Sequence, residues 1–147
     1  MTHSSVCQRG FTLVELMAGL AIAGILASVA LPTFESQLQR SRRSDALNAA
    51  MAVQTAQERF RSNAPTYGNL LDIGVGADST AKHYKLQMTA NDADGFELVA
   101  VAVGVQHRDL HCRHMKLTAV KMTLVHTSGP DADFTNAPAA NRKCWSL

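Results

Sequence analysis

The sequence predicts an α+β fold, with one long N-terminal helix followed by a four-stranded antiparallel sheet. Three observations carry that prediction. Residues 16–34 hold no charge at all. Behind them Ala46, Ala49, Ala50, Val53, Ala56 and Phe60 recur at three- and four-residue steps, which marks one apolar helix face. Beyond residue 82 the pattern changes to short strand-like runs separated by turn formers.

The first element is a short polar leader, residues 1–10, followed by the charge-free run. As a helix, residues 16–34 would reach about 28 Å, close to the ~30 Å hydrocarbon core of a bilayer. No small-residue cleavage site of the A-x-A kind closes the run, so the apolar segment stays in the mature chain. Glu15 stands at its front. An ionised carboxylate in lipid is costly and calls for a partner. Pro32 removes a backbone hydrogen bond near the end of the run and predicts a kink. Gly19 and Gly24 are either ordinary membrane-helix glycines or points of close helix approach. The charges around the run place the C-terminal part in the cytoplasm by the positive-inside rule. Arg9 alone precedes it, whereas Arg40, Arg42 and Arg43 follow it.

The helix continues amphipathically to about residue 62, where Asn63-Ala64-Pro65 stops it. From residue 11 it would be roughly 78 Å long. Residues 63–82 are rich in turn formers, and Tyr67, Leu70 and Leu71 are expected to tuck this loop onto the head. Strands are expected at 83–90, 96–103, 115–119 and 122–127. The first two are joined by the hairpin signal Asn91-Asp92-Ala93-Asp94-Gly95. Those acids read as a solvated turn or as calcium ligands, although the EF-hand pattern is not met.

Composition narrows the function. The chain has 147 residues and a formal charge of +2, too small by itself to mark a nucleic-acid binder. It shows no Gly-rich phosphate loop, nucleophile elbow or zinc-protease motif, which predicts neither enzyme nor cofactor. The three cysteines, Cys7, Cys112 and Cys144, are an odd number, so the fate of Cys7 matters.

The stretch Arg9-Gly10-Phe11-Thr12-Leu13-Val14-Glu15-Leu16 resembles the prepilin-peptidase site of type IV pilins and pseudopilins. The resemblance implies cleavage after Gly10, N-methylation of Phe11, and pairing of Glu15 with the free amine of a neighbouring subunit. Cys7 then leaves with the leader. It also implies the type IV pilin fold, with a leader (1–10), a transmembrane and assembly half of the helix (11–35) and a globular head (36–147). Gln106-x-x-Asp109-x-x-Cys112 with a Cys144-Trp145 ending is similar to PilE-like minor pilins. That subgroup usually has a glycine in the turn between the last two strands; Ala119-Val120-Lys121 has none. With the head outside the cytoplasm a Cys112–Cys144 disulfide is permitted, and it would close the C-terminal loop.

The run His107-Arg108-Asp109-Leu110-His111-Cys112-Arg113-His114 leaves three readings open. It offers metal ligands in no closed zinc spacing. It offers cations for DNA phosphates, with Arg108, Arg113, Lys116, Arg142 and Lys143 as candidate contacts. Or it is a solvated surface beside the cysteines.

The resemblance implies a structural, minor subunit of a type IV pilus serving adhesion, twitching motility or DNA uptake. Its partners are other pilin subunits, the prepilin peptidase, the inner-membrane assembly machinery, the lipid bilayer before assembly and, on one reading, DNA. The subunit waits in the bacterial inner membrane and ends in an extracellular pilus. The alternatives are a pseudopilin of type II secretion and a membrane-anchored DNA-binding pilin.

Overall fold

The computed structural model describes residues 10–121 and 123–146. Residues 1–9 of the expected leader (1–10) with Cys7, the side chain of Pro32, and Met122, the expected first residue of the last strand, lie outside that description. The elements run α1 (Leu13–Arg61), β1 (Tyr84–Asn91), β2 (Gly95–Ala102), β3 (His114–Val120), β4 (Thr123–Gly129) and α2 (Pro138–Trp145). Two 3-10 turns, Gly104–Arg108 and Leu110–Cys112, connect β2 to β3. The chain divides into two compact units between Gln37 and Leu38.

In the first unit the described apolar side chains of α1 are exposed, among them Leu13, Leu16, Leu20, Ile22, Ile25 and Val29. By length and composition α1 is sufficient to cross a membrane. In the second unit, Ala46, Ala49, Ala50 and Val53 are buried as their spacing predicts. Ala56 and Phe60 are only half-buried, and Gln57 is fully buried instead. Gln57 replaces a missing backbone partner. Its Nε2 donates to the Gly68 carbonyl (2.6 Å), and the Gly68 N–H donates to its Oε1 (3.0 Å). The loop comes so close that a Cβ on Gly68 would stand 2.9 Å from the Cβ of Asp72.

The sheet is an antiparallel meander in the order β1-β2-β3-β4. Tyr84, Leu86, Phe96, Leu98, Ala100, Met115 and Leu117 join the helical alanines in one core. The expected strands are thus present, with ends shifted by one or two residues. A bulge in β1 between Met88 and Ala90 separates its two halves. At the β2–β3 contact a Cβ on Gly95 would collide with the Ala119 carbonyl oxygen, so only glycine fits. The turn without a glycine is made by Lys121, which itself takes φ of 46°. Its N–H donates to the Asp94 carbonyl.

The αβ loop docks as expected through Tyr67, whose ring lies 5.3 Å from that of Phe96, and through the half-buried Leu70. Leu71 departs from the expectation: it is 90% exposed. A buried carboxylate, Asp45, ties down the far end of the loop. It accepts the Ser79 hydroxyl (2.6 Å) and the N–H groups of Ala81 (3.0 Å) and His83 (3.2 Å). Burial pushes the Asp45 carboxyl up, but these donors together hold it below the ordinary 3.8.

Helix α2 is the element the sequence reading lacks. Pro138 opens it, where a missing N–H costs nothing. Cys144 and Trp145 anchor its end. Cys144 bonds Cys112 with the Cα atoms 5.4 Å apart. The Trp145 indole N–H donates to the Thr127 carbonyl at 2.9 Å.

Candidate functional site

Two regions hold the residues with chemical roles. At the start of α1, Thr12 and Glu15 cap each other. The Glu15 N–H donates to Thr12 Oγ1 (3.3 Å), while Glu15 Oε2 accepts from the Thr12 N–H (2.9 Å) and hydroxyl (2.8 Å). This is a capping box, and it satisfies donors that the first helical turn leaves orphaned. The carboxylate at the front of the apolar run thus has an intramolecular partner. Phe11, one residue before Thr12, is 89% exposed.

The second region lies in the head. Gln106, Asp109 and Cys112 are spaced by three residues. The 3-10 turns, at three residues per turn, bring all three to the buried side. Asp109 receives Arg43 in a two-pronged pair, Nε to Oδ2 at 2.6 Å and Nη2 to Oδ1 at 2.9 Å. Gln106 Nε2 lies 3.0 Å from the same carboxylate, 3.1 Å from the Tyr84 hydroxyl and 3.3 Å from the Gln39 carbonyl. Burial pushes the Tyr84 phenol up to about 12, more than the Gln106 hydrogen bond pulls it back, and the Asp109 charge adds to the rise. Arg43 Nη1 also reaches the Lys143 carbonyl on α2, at 3.4 Å.

Over this network opens a concave basic surface of about 560 Å³, lined by Arg40, Arg43, Ala139, Arg142, Lys143 and Ser146. Four of the six lining residues carry cations, and none carries a carboxylate.

A family model described as "Type IV minor pilin ComP, DNA uptake sequence receptor" matches residues 32–116, more than half of the chain. A second, the "Prokaryotic N-terminal methylation motif", matches residues 6–31. The chain belongs to the type IV pilin family.

Relatives of the pilin agree. It is 38% identical over 88 residues to the "Type IV major pilin protein PilA" of Myxococcus xanthus, covering 58% of this chain and 40% of that one. It is 38% identical over 93 residues to a "Fimbrial protein" of Moraxella nonliquefaciens, covering 60% of each. It is 33% identical over 110 residues to "Fimbrial protein EcpC" of Eikenella corrodens, covering 70% of this chain and 72% of that one. The match thus spans about half the length of the first two relatives.

The pilin does not gather its five candidate DNA contacts into one place. Arg142 and Lys143 line the basic groove; Arg108, Arg113 and Lys116 do not. Arg113 Nε donates to the His107 carbonyl at 3.0 Å. Lys116 stands on β3, 3.6 Å from Glu97 and 4.8 Å from the centre of the Phe134 ring. Arg108 is exposed at the end of the first 3-10 turn. In the His/Arg run, Cys112 is committed to the disulfide and offers no metal ligand. Arg40 completes the groove and carried no site signal in the sequence. The Thr12-x-x-Glu15 capping box was a legible signal that the peptidase-site reading overshadowed.

Proposed function

We propose that this type IV pilin is a minor subunit whose head contacts DNA during uptake. The carrying observation is the match of the ComP model across residues 32–116, a span that includes Arg108, Arg113 and Lys116. These three supply phosphate-seeking cations near the end of that span. Relatives named as fimbrial proteins favour a pilus over a secretion system.

The precursor waits in the inner membrane through the apolar part of α1. It is cleaved between Gly10 and Phe11, and Phe11 is N-methylated. The methylation-motif match over residues 6–31 supports this processing. Glu15 then leaves its capping contact with Thr12 for the amine of a neighbouring pilin, and Pro32 gives the helix its bend. The Cys112–Cys144 disulfide favours a head outside the cytoplasm, against the charge rule.

The test is DNA binding by full-length mature pilin in a neutral detergent, measured against salt. Affinity for duplex DNA is expected to fall with salt. The triple variant Arg108→Gln/Arg113→Gln/Lys116→Gln should flatten the log–log slope by about 0.9 per lost phosphate contact. Absence of binding at low salt ends the DNA reading and leaves the pilin assignment standing.

A further inference from the structure

The groove lined by Arg40, Arg142 and Lys143 is separate from the three cations assigned to DNA, and its chemistry is uneven. Arg43, at its floor, is neutralised by Asp109 and bound to the α2 backbone. Among the described residues, no carboxylate lies within ion-pair distance of Arg40, Arg142 or Lys143. All three are exposed. The disulfide at Cys144 and the Trp145–Thr127 hydrogen bond anchor the end of α2, the helix that carries Arg142 and Lys143. Three exposed cations around a concavity, with no ion-pair partner among the described residues, form a receptor for an anionic oxygen cluster, a phosphate above all.

The position of Arg40 in the chain selects the source of that phosphate. Arg40 is six residues beyond Phe34, the last residue of the charge-free run. Six residues span at most about 20 Å however the chain runs. An Arg40 tethered that closely to a bilayer-embedded segment has lipid headgroups within reach of its side chain.

We propose that the groove binds the phosphate of an anionic phospholipid headgroup while the subunit waits in the membrane. This rests on the membrane-precursor reading above. It gives two of the three arginines that break the positive-inside pattern distinct roles: Arg43 builds the groove floor and Arg40 holds the lipid. Binding seats the head on the bilayer surface, and extraction into a filament must break that contact.

The test uses full-length mature pilin in a neutral, phosphate-free detergent, titrated with phosphatidylglycerol or phosphatidylcholine. Native mass spectrometry counts the retained lipid. Wild type is expected to retain one phosphatidylglycerol at least tenfold more tightly than phosphatidylcholine. The variant Arg40→Gln/Arg142→Gln/Lys143→Gln should lose that lipid by roughly 100-fold, about fivefold for each cation near an anionic surface. A headgroup preference below tenfold, or a loss below tenfold in a variant that keeps its disulfide, overturns the proposal. The headgroup preference needs no variant and decides the matter if the variant misfolds. Inorganic phosphate or a short DNA duplex that displaces phosphatidylglycerol at equal phosphate concentration overturns the lipid assignment. The DNA reading fails separately, on Arg108, Arg113 and Lys116. The membrane-precursor reading fails separately too, if the unprocessed chain is missing from the membrane fraction.

Discussion

Arg43 grips Asp109 through two parallel hydrogen bonds across 66 residues of sequence, joining α1 to the link between β2 and β3. Asp109 is 3% exposed and the Arg43 side chain 15%. Removing one partner strands a buried charge, which costs about 3–5 kcal/mol. Asp109→Ala should therefore lower the urea midpoint sharply. The fluorescence of Trp145, the only tryptophan, reports the transition. An unchanged midpoint would show that the pair contributes no net stability.

The disulfide closes a loop with a sequence separation of 32 residues. In the chain-entropy model that stabilises the head by about 3–4 kcal/mol. Reduction should shift the urea transition by that amount and free α2. Alkylation of the unreduced mature protein should leave Cys112 and Cys144 unmodified by mass.

Acid should destabilise the head in two steps. His126 lies edge-on to Trp145, with ring centres 4.7 Å apart, and burial lowers its pKa below the ordinary 6.5. The folded state therefore holds fewer protons than the unfolded one as pH drops. The His126 contribution is complete above about pH 6.5 and is lost as pH falls through the folded value. Asp45 has the same sign. Its contribution is present above about pH 3.8 and is lost below, as the carboxylate clamping Ser79, Ala81 and His83 protonates. Urea midpoints measured against pH should show both steps. His126→Gln should erase the first alone, and Asp45→Asn the second.

Gly95→Ala places a methyl group where the Ala119 carbonyl oxygen sits. Overpacking of this kind costs typically 1–3 kcal/mol, and here backbone rather than a flexible side chain must move, so a value of about 3 kcal/mol is expected. Amide exchange along β2 and β3 should accelerate. Gly76→Ala, where a Cβ meets open space, serves as the control.

For the N-terminal motif, Gly10→Leu should leave an unprocessed precursor of higher mass. Glu15→Ala should be cleaved at a near-normal rate yet stay out of filaments. Entry of Glu15→Ala at the wild-type level would remove the assembly role and leave Glu15 as the partner of Thr12 in the capping box only.

Local order was readable wherever neighbouring residues settle it. The 3.6-residue spacing of Ala46, Ala49, Ala50 and Val53 was sufficient to place the buried helix face. Asn91 to Gly95 placed the first hairpin. What escaped depended on distant partners. Gln57 is a poor candidate for a core position until Gly68 folds over it. Leu71 read as a docking residue, but Leu70 and Tyr67 took the available surface. Helix α2 escaped because its eight residues carry little pattern of their own. The disulfide and the Trp145 contact hold it, and both pair it with residues far back in the chain.

The sequence by itself determined the apolar run with Glu15 at its front, the amphipathic continuation of the helix and four strands. Each of these follows from spacing within a few residues, which a linear reading contains in full. Only the tertiary structure decided where the basic residues stand. It gave Arg43 to Asp109, set Arg142 and Lys143 beside Arg40, and left Arg108, Arg113 and Lys116 elsewhere. Charges act through space, and their sum over a surface depends on which groups the folded chain brings within a few ångströms of one another.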